Sequence, residues 1–178
     1  MKKLTAVFLL AFCYLNLVAQ NNMPSYVPTN GLVAYYPFNG NANDESGNGN
    51  HGIVNGATLA NDRFGNTNKA YYYNGSSNFI DFGNIHGLDS TNFFSVSTWF
   101  KYTSIPSPPN DHFTIVCDGG YGDSNGWGLL VNQDGVLIRS QNSTPALSSE
   151  WACLYINQFL INTWYNVTAV LNSDSIKI

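Results

Sequence analysis

The stretch Phe94-Ser-Val-Ser-Thr-Trp99-Phe-Lys-Tyr102 decides the fold class. In an extended chain Phe94, Val96, Thr98, Phe100 and Tyr102 share one side, and Ser95, Ser97, Trp99 and Lys101 share the other. Strand side chains alternate between two faces, so this is the pattern of a half-buried antiparallel strand. Working outward, short apolar and aromatic runs recur between clusters of Gly, Asn, Pro and Ser, which predicts many strands and few helices. Strands are expected near residues 32–38, 51–57, 70–73, 79–82, 94–102, 113–117, 126–132, 136–140, 164–171 and 175–178. Asp134-Gly135 reads as a hairpin turn, because the pair readily adopts positive φ angles. Three prolines within 105–110 break any ladder and make that stretch a loop. A single helical candidate lies at 148–159. So many short antiparallel strands bury their apolar faces against one another in a sandwich or jelly roll rather than in one sheet.

Composition agrees with this reading. Only 10% of the 178 residues are charged, against about 25% in an average globular chain. Polarity is carried instead by 25 Asn, 16 Ser, 11 Thr and 16 Gly, types that favour turns and caps over helix interiors. The net charge is −4, and no Lys or Arg cluster is present to neutralise phosphates or anionic lipid. Nucleic acid is therefore excluded as the expected partner.

The first residues read as an address. Lys2 and Lys3 precede an apolar run that ends at Leu17-Val-Ala19, the form of a secretory signal peptide over 1–19. It is too short for the roughly 20 apolar residues of a membrane span. Residues 20–30 form a short linker and 31–178 one domain, expected to be secreted or held at the cell surface. Past the leader five basic residues (Arg63, Lys69, Lys101, Arg139 and Lys177) stand against eleven acidic ones. Cys117 and Cys153 also remain, and export allows a disulfide between them. Closing that loop of 37 residues would contribute about 4 kcal/mol. The alternative is two separate thiols in strands.

The block running from Gly31 through Tyr35-Tyr-Pro-Phe-Asn-Gly-Asn-Ala-Asn-Asp44-Glu-Ser46-Gly-Asn48-Gly-Asn-His51-Gly52 resembles the opening of laminin-G-like jelly-roll domains of secreted bacterial proteins. These domains belong to the concanavalin A-like lectin and glucanase group. The resemblance continues through Asp62-Arg63-Phe64-Gly65, Ala70-Tyr71, Asn74-Gly75, Phe79-Ile80, the 94–102 strand and Trp164-Tyr-Asn-Val167. Tyr73, Asn74, Asn78 and Phe79 depart from it, standing where many relatives carry Phe, Asp, Asp and Tyr. It implies an antiparallel β-sandwich whose last strands lie beyond Ile178, so that the domain is expected to be incomplete and part of a larger multidomain protein. It also implies a binding or adhesion role, with a glycan or an extracellular protein as ligand, and a structural calcium ion near the 44–49 turn.

The residues themselves offer several constellations. Asp44, Ser46 and Asn48 place oxygen-bearing side chains at alternate positions ahead of Gly49, the first half of a calcium loop. The twelfth position of that pattern is Asn55 and not a bidentate Glu, and a loop closed by its own Asx-turn hydrogen bonds is the competing reading. For a glycan, Tyr121, Asp123 and Asn125 form a rim of an aromatic, a carboxylate and an amide, and Trp151 is a second stacking candidate. Trp127 leads into a strand and is expected in the core. Retaining glycoside hydrolysis requires two carboxyl groups roughly 5 Å apart. The chain has only Glu45 and Glu150 beside scattered Asp residues, so no catalytic group is assigned and a non-enzymatic module is expected. A hydrolase of the same fold group and a structural spacer are the alternatives.

Overall fold

The structure, a computed structural model, describes residues 23–85, 93–104, 112–118, 126–132, 134–141, 150–155, 159–172 and 175–178. Among them the chain is all-β, and every paired strand is antiparallel. Two short ribbons come first. β1 (Ile53–Asn55) pairs with β4 (Phe79–Asp81), and β2 (Thr58–Ala60) pairs with β3 (Ala70–Tyr72). A three-stranded sheet has the order β11-β10-β5, made of Ser175–Lys177, Tyr165–Asn172 and Phe94–Phe100. A four-stranded sheet runs β6-β7-β8-β9, made of Phe113–Asp118, Gly126–Val131, Gly135–Gln141 and Glu150–Tyr155.

The two larger sheets contribute to one hydrophobic cluster. From β10 come Val167, Ala169 and Leu171, and from β7 and β8 come Leu129, Val131, Val136 and Ile138. The register explains the selection. Leu129 lies opposite Ile138 and Val131 opposite Val136, so all four project to one face. Phe94, Val96 and Phe100 pack on the cluster from β5, while Ser95, Ser97 and Trp99 are exposed. A bulge between Thr114 and Val116 shifts the β6 register, and Ile115 and Val116, though consecutive, both pack on the core. Trp127 joins this packing, its ring 4.7 Å from that of Phe94.

Three expectations are corrected, and a fourth, the hairpin at Asp134-Gly135, is met with its turn closed in a different way. Residues 32–38 are not a strand, because their backbone groups bond to the 44–50 loop: Tyr35 N–H donates to Asp44, the Tyr35 carbonyl accepts from Glu45 N–H, and the Val33 carbonyl accepts from the Asn48 and Asn50 amides. Of the expected strand 51–57 only Ile53–Asn55 is strand; the chain turns at Gly56, whose φ is +73°, and β2 begins beyond the expected span at Thr58, in a different sheet. The helical candidate at 148–159 contains strand β9, paired along β8 from Ser140↔Glu150 to Gly135↔Tyr155. At the β7–β8 hairpin Gly135 is already the first residue of β8, and the Asn132 side chain closes the turn by accepting from the N–H groups of Asp134 and Gly135. The alternation of 94–102, by contrast, appears as expected.

The candidate disulfide is not formed. Cys117 is a free, exposed thiol on β6, opposite Gly128, while Cys153 lies on β9, opposite Leu137. Two whole strands separate β6 from β9. Three strand spacings amount to about 14 Å, well beyond the roughly 7 Å that a disulfide can join.

Candidate functional site

The loop singled out as a calcium site is built around a buried carboxylate. Asp44 is only 5% exposed. Its Oδ1 accepts from the N–H groups of Tyr35 at 2.9 Å and Ser46 at 2.8 Å, and its Oδ2 accepts from the Ser46 hydroxyl at 2.9 Å and the Asn50 N–H at 3.0 Å. Its own N–H donates to Nδ1 of His51 at 3.1 Å. Burial acts to raise the Asp44 pKa, but the hydrogen bonds from Tyr35, Ser46 and Asn50 outweigh it and the net shift is downward. The Tyr36 hydroxyl caps the loop by donating to the Asn50 carbonyl at 2.6 Å, and its pKa is pushed up to about 12 by burial and then by the nearby Asp44 charge.

This donor set does not fit a calcium ion. A carboxylate offers about four lone-pair sites, and here each is directed at an N–H or O–H. Asn48, the third candidate ligand, turns its Nδ2 toward the Leu32 and Val33 carbonyls at 2.8 and 2.9 Å. Asp44, Ser46 and Asn48 are thus brought together, as hydrogen-bond partners that tie the extended 32–38 segment to the loop. Among the described residues no three His, Cys, Asp or Glu side chains gather as a metal group.

Of the glycan candidates, Tyr121, Asp123 and Asn125 lie outside the described residues. Trp151 is described only by its backbone place on β9, opposite Arg139.

A different aromatic group stands on the outward face of β5 and β10. Trp99 is 46% and Phe64 is 72% exposed. The Arg63 guanidinium carbon lies over both rings, 4.2 Å from the centroid of Phe64 and 4.4 Å from that of Trp99. One step beyond the Phe100↔Tyr165 pair, Lys101 Nζ lies 5.2 Å from the centroid of the Trp164 ring. Such cation–π contacts contribute about 0.5–1 kcal/mol each at exposed sites, and they fix where the cations stand. Down the same face Asn166 lies opposite Trp99, with its amide donating to the Thr98 carbonyl, and Ser97 and Thr168 share a hydroxyl hydrogen bond of 2.9 Å.

The loop that delivers Arg63 is ordered by its own sequence. Asp62 Oδ1 accepts from Phe64 N–H at 2.8 Å and Asn66 N–H at 2.9 Å, and Oδ2 accepts from the Asn66 amide at 3.0 Å. Gly65, at φ +84°, takes the left-handed position and donates to the Asp62 carbonyl. The sequence does place Trp99 and Lys101 on the outward face, but their partnership with Arg63 and Trp164 spans too many residues for local pattern to reveal.

A cleft of about 230 Å³ between Phe100, Phe159, Tyr165 and Ile178 is mainly apolar and brings no carboxylate, imidazole or amine to its walls. No helix of the described chain is long and apolar enough to cross a membrane. The chain matches no protein-family model, and the comparisons with curated proteins and with solved structures give no match either.

Proposed function

We propose that this chain is a secreted, non-catalytic carbohydrate-binding or adhesion module, with a β-sandwich of jelly-roll type similar to laminin-G-like domains. The resemblance of the 31–52 block and the shared core of the two larger sheets support the architecture. The observation that carries the function is the exposed Arg63, Phe64 and Trp99 cluster beside a row of hydroxyls and an amide on one sheet face. Sugar rings bury their C–H faces on aromatic rings and satisfy their hydroxyls with planar polar groups. An indole half in water leaves roughly 100 Å² for a ligand to cover, which is about 2–3 kcal/mol of available apolar burial.

Affinity electrophoresis through gels containing plant and bacterial polysaccharides tests the reading. At least one polysaccharide should retard the chain, and Trp99→Ala should abolish the retardation while far-ultraviolet circular dichroism stays unchanged. Retardation by none would reject a glycan-binding role and favour a spacer. Release of reducing sugar would favour the hydrolase.

A further inference from the structure

We infer that the ligand of this face is an anionic polysaccharide, whose carboxylate or sulfate groups are received by Arg63 with Lys101 as the second cation; this rests on the glycan-binding reading above. The first support is the state of Arg63. With aromatic rings on it at 4.2 and 4.4 Å, its guanidinium is held in place and its N–H edges remain for a ligand. A planar fork of that kind matches an oxyanion through two parallel hydrogen bonds. Asp62, the adjacent carboxylate, senses the Arg63 charge, yet its oxygens are engaged by Phe64 and Asn66. Arg63 forms no ion pair among the described residues.

The second support is the distribution of charge. The chain carries eleven acidic residues against seven basic ones, yet β5, β10 and β11 contain no Asp or Glu. Lys101 follows Trp99 by two positions on the outward side, about 7 Å along the strand, and Lys177 lies opposite Val170 on the neighbouring strand. Arg63 and Lys101 thus put two cations beside Trp99 on an otherwise acidic protein, and Lys177 stands apart from them, at the level of Ser95 four positions from Trp99 on the outer strand of the same sheet; cations gathered by the fold in this way draw a polyanion. The hydroxyl row of Ser97 and Thr168 on the same face suits a sugar backbone better than a lipid bilayer.

The test measures binding of the chain to polygalacturonate, chondroitin sulfate, neutral galactan, poly-glutamate and phosphatidylglycerol vesicles. Polygalacturonate or chondroitin sulfate should bind on the order of tenfold more tightly than galactan, the scale of one charge-assisted hydrogen bond. Affinity should fall several-fold as salt rises toward roughly 0.3 M. Arg63→Gln should remove about tenfold of the acidic-polymer affinity, and Arg63→Lys, which keeps charge but not the fork, should recover only part of it, with both variants melting as the wild type does. Equal binding of acidic and neutral polymers, unmoved by Arg63→Gln, would overturn the anionic ligand and leave the glycan-binding reading intact. Binding of no polysaccharide would overturn both. Binding of poly-glutamate or vesicles in place of the sugars would overturn the choice of a polysaccharide.

Discussion

At the scale of single residues, Asp44 decides how the first third of the domain is tied down. Removing its carboxylate strands four donors, from Tyr35, Ser46 twice and Asn50, in a partly buried setting. Each orphaned donor costs about 1–3 kcal/mol. Relaxation and entering water recover part of that sum, so Asp44→Ala should lower the unfolding free energy by about 3 kcal/mol. The pH dependence has a definite sign. The folded pKa lies below the ordinary 3.8, so the folded state holds the carboxylate charged where the unfolded chain takes up a proton. Its contribution is complete above the unfolded value and fades as pH falls from about 4 through the folded value. Urea titrations between pH 3 and pH 7 should therefore show a wild-type loss of stability on acidification that Asp44→Ala lacks in part.

Cys117 belongs to the same scale. Although the residue is exposed, partial burial of its sulfur and then the adjacent Asp118 charge raise the thiol pKa. As the thiolate is the nucleophile, a thiol reagent should label Cys117 slowly at neutral pH and faster as pH rises, without prior reduction. A Cys117→Ser variant whose labelling matches that of the wild type would show the thiol to be already bonded.

At the scale of elements, the loop 44–50 is closed by N–H and O–H donors on Asp44, a closure that uses no metal ion. Thermal melts in EDTA and in millimolar calcium should coincide, whereas a ligand at a hundred times its dissociation constant would add about 2.7 kcal/mol. A calcium-dependent rise lost in Asp44→Ala would place an ion in this loop after all. The same element shows what a sequence can and cannot disclose. The strand over 94–102 was legible because its two-residue period is a local property. Residues 32–38 have an equally apolar run, but their partners are side-chain and backbone groups nine or more positions away, so the local pattern predicts a strand where a tethered segment stands. At 150–155 a mixed apolar spacing hid a strand whose identity comes from pairing with β8. Trp99 could be read as outward-facing, whereas Arg63 above it arrives from another ribbon.

At the scale of the whole molecule, stability rests on the cluster to which the three- and four-stranded sheets both contribute. Leu129 and Ile138 are both 0% exposed and lie opposite one another on β7 and β8. Ile138→Ala opens a cavity that neighbouring strands cannot close freely, and should cost about 2–5 kcal/mol. A chemical-denaturation loss below about 1 kcal/mol would mean that the core is loosely packed. With the inward rows engaged in this way, the outward row of β5 and β10 is left for partners, and it carries both the exposed indole and the cations. The most direct measurement of the central claim is the binding of wild type and Trp99→Ala to a polysaccharide panel by affinity electrophoresis. The account predicts retardation of the wild type that is lost in the variant with its fold intact. Equal mobility of the two proteins in every gel, or equal retardation of both, would contradict it.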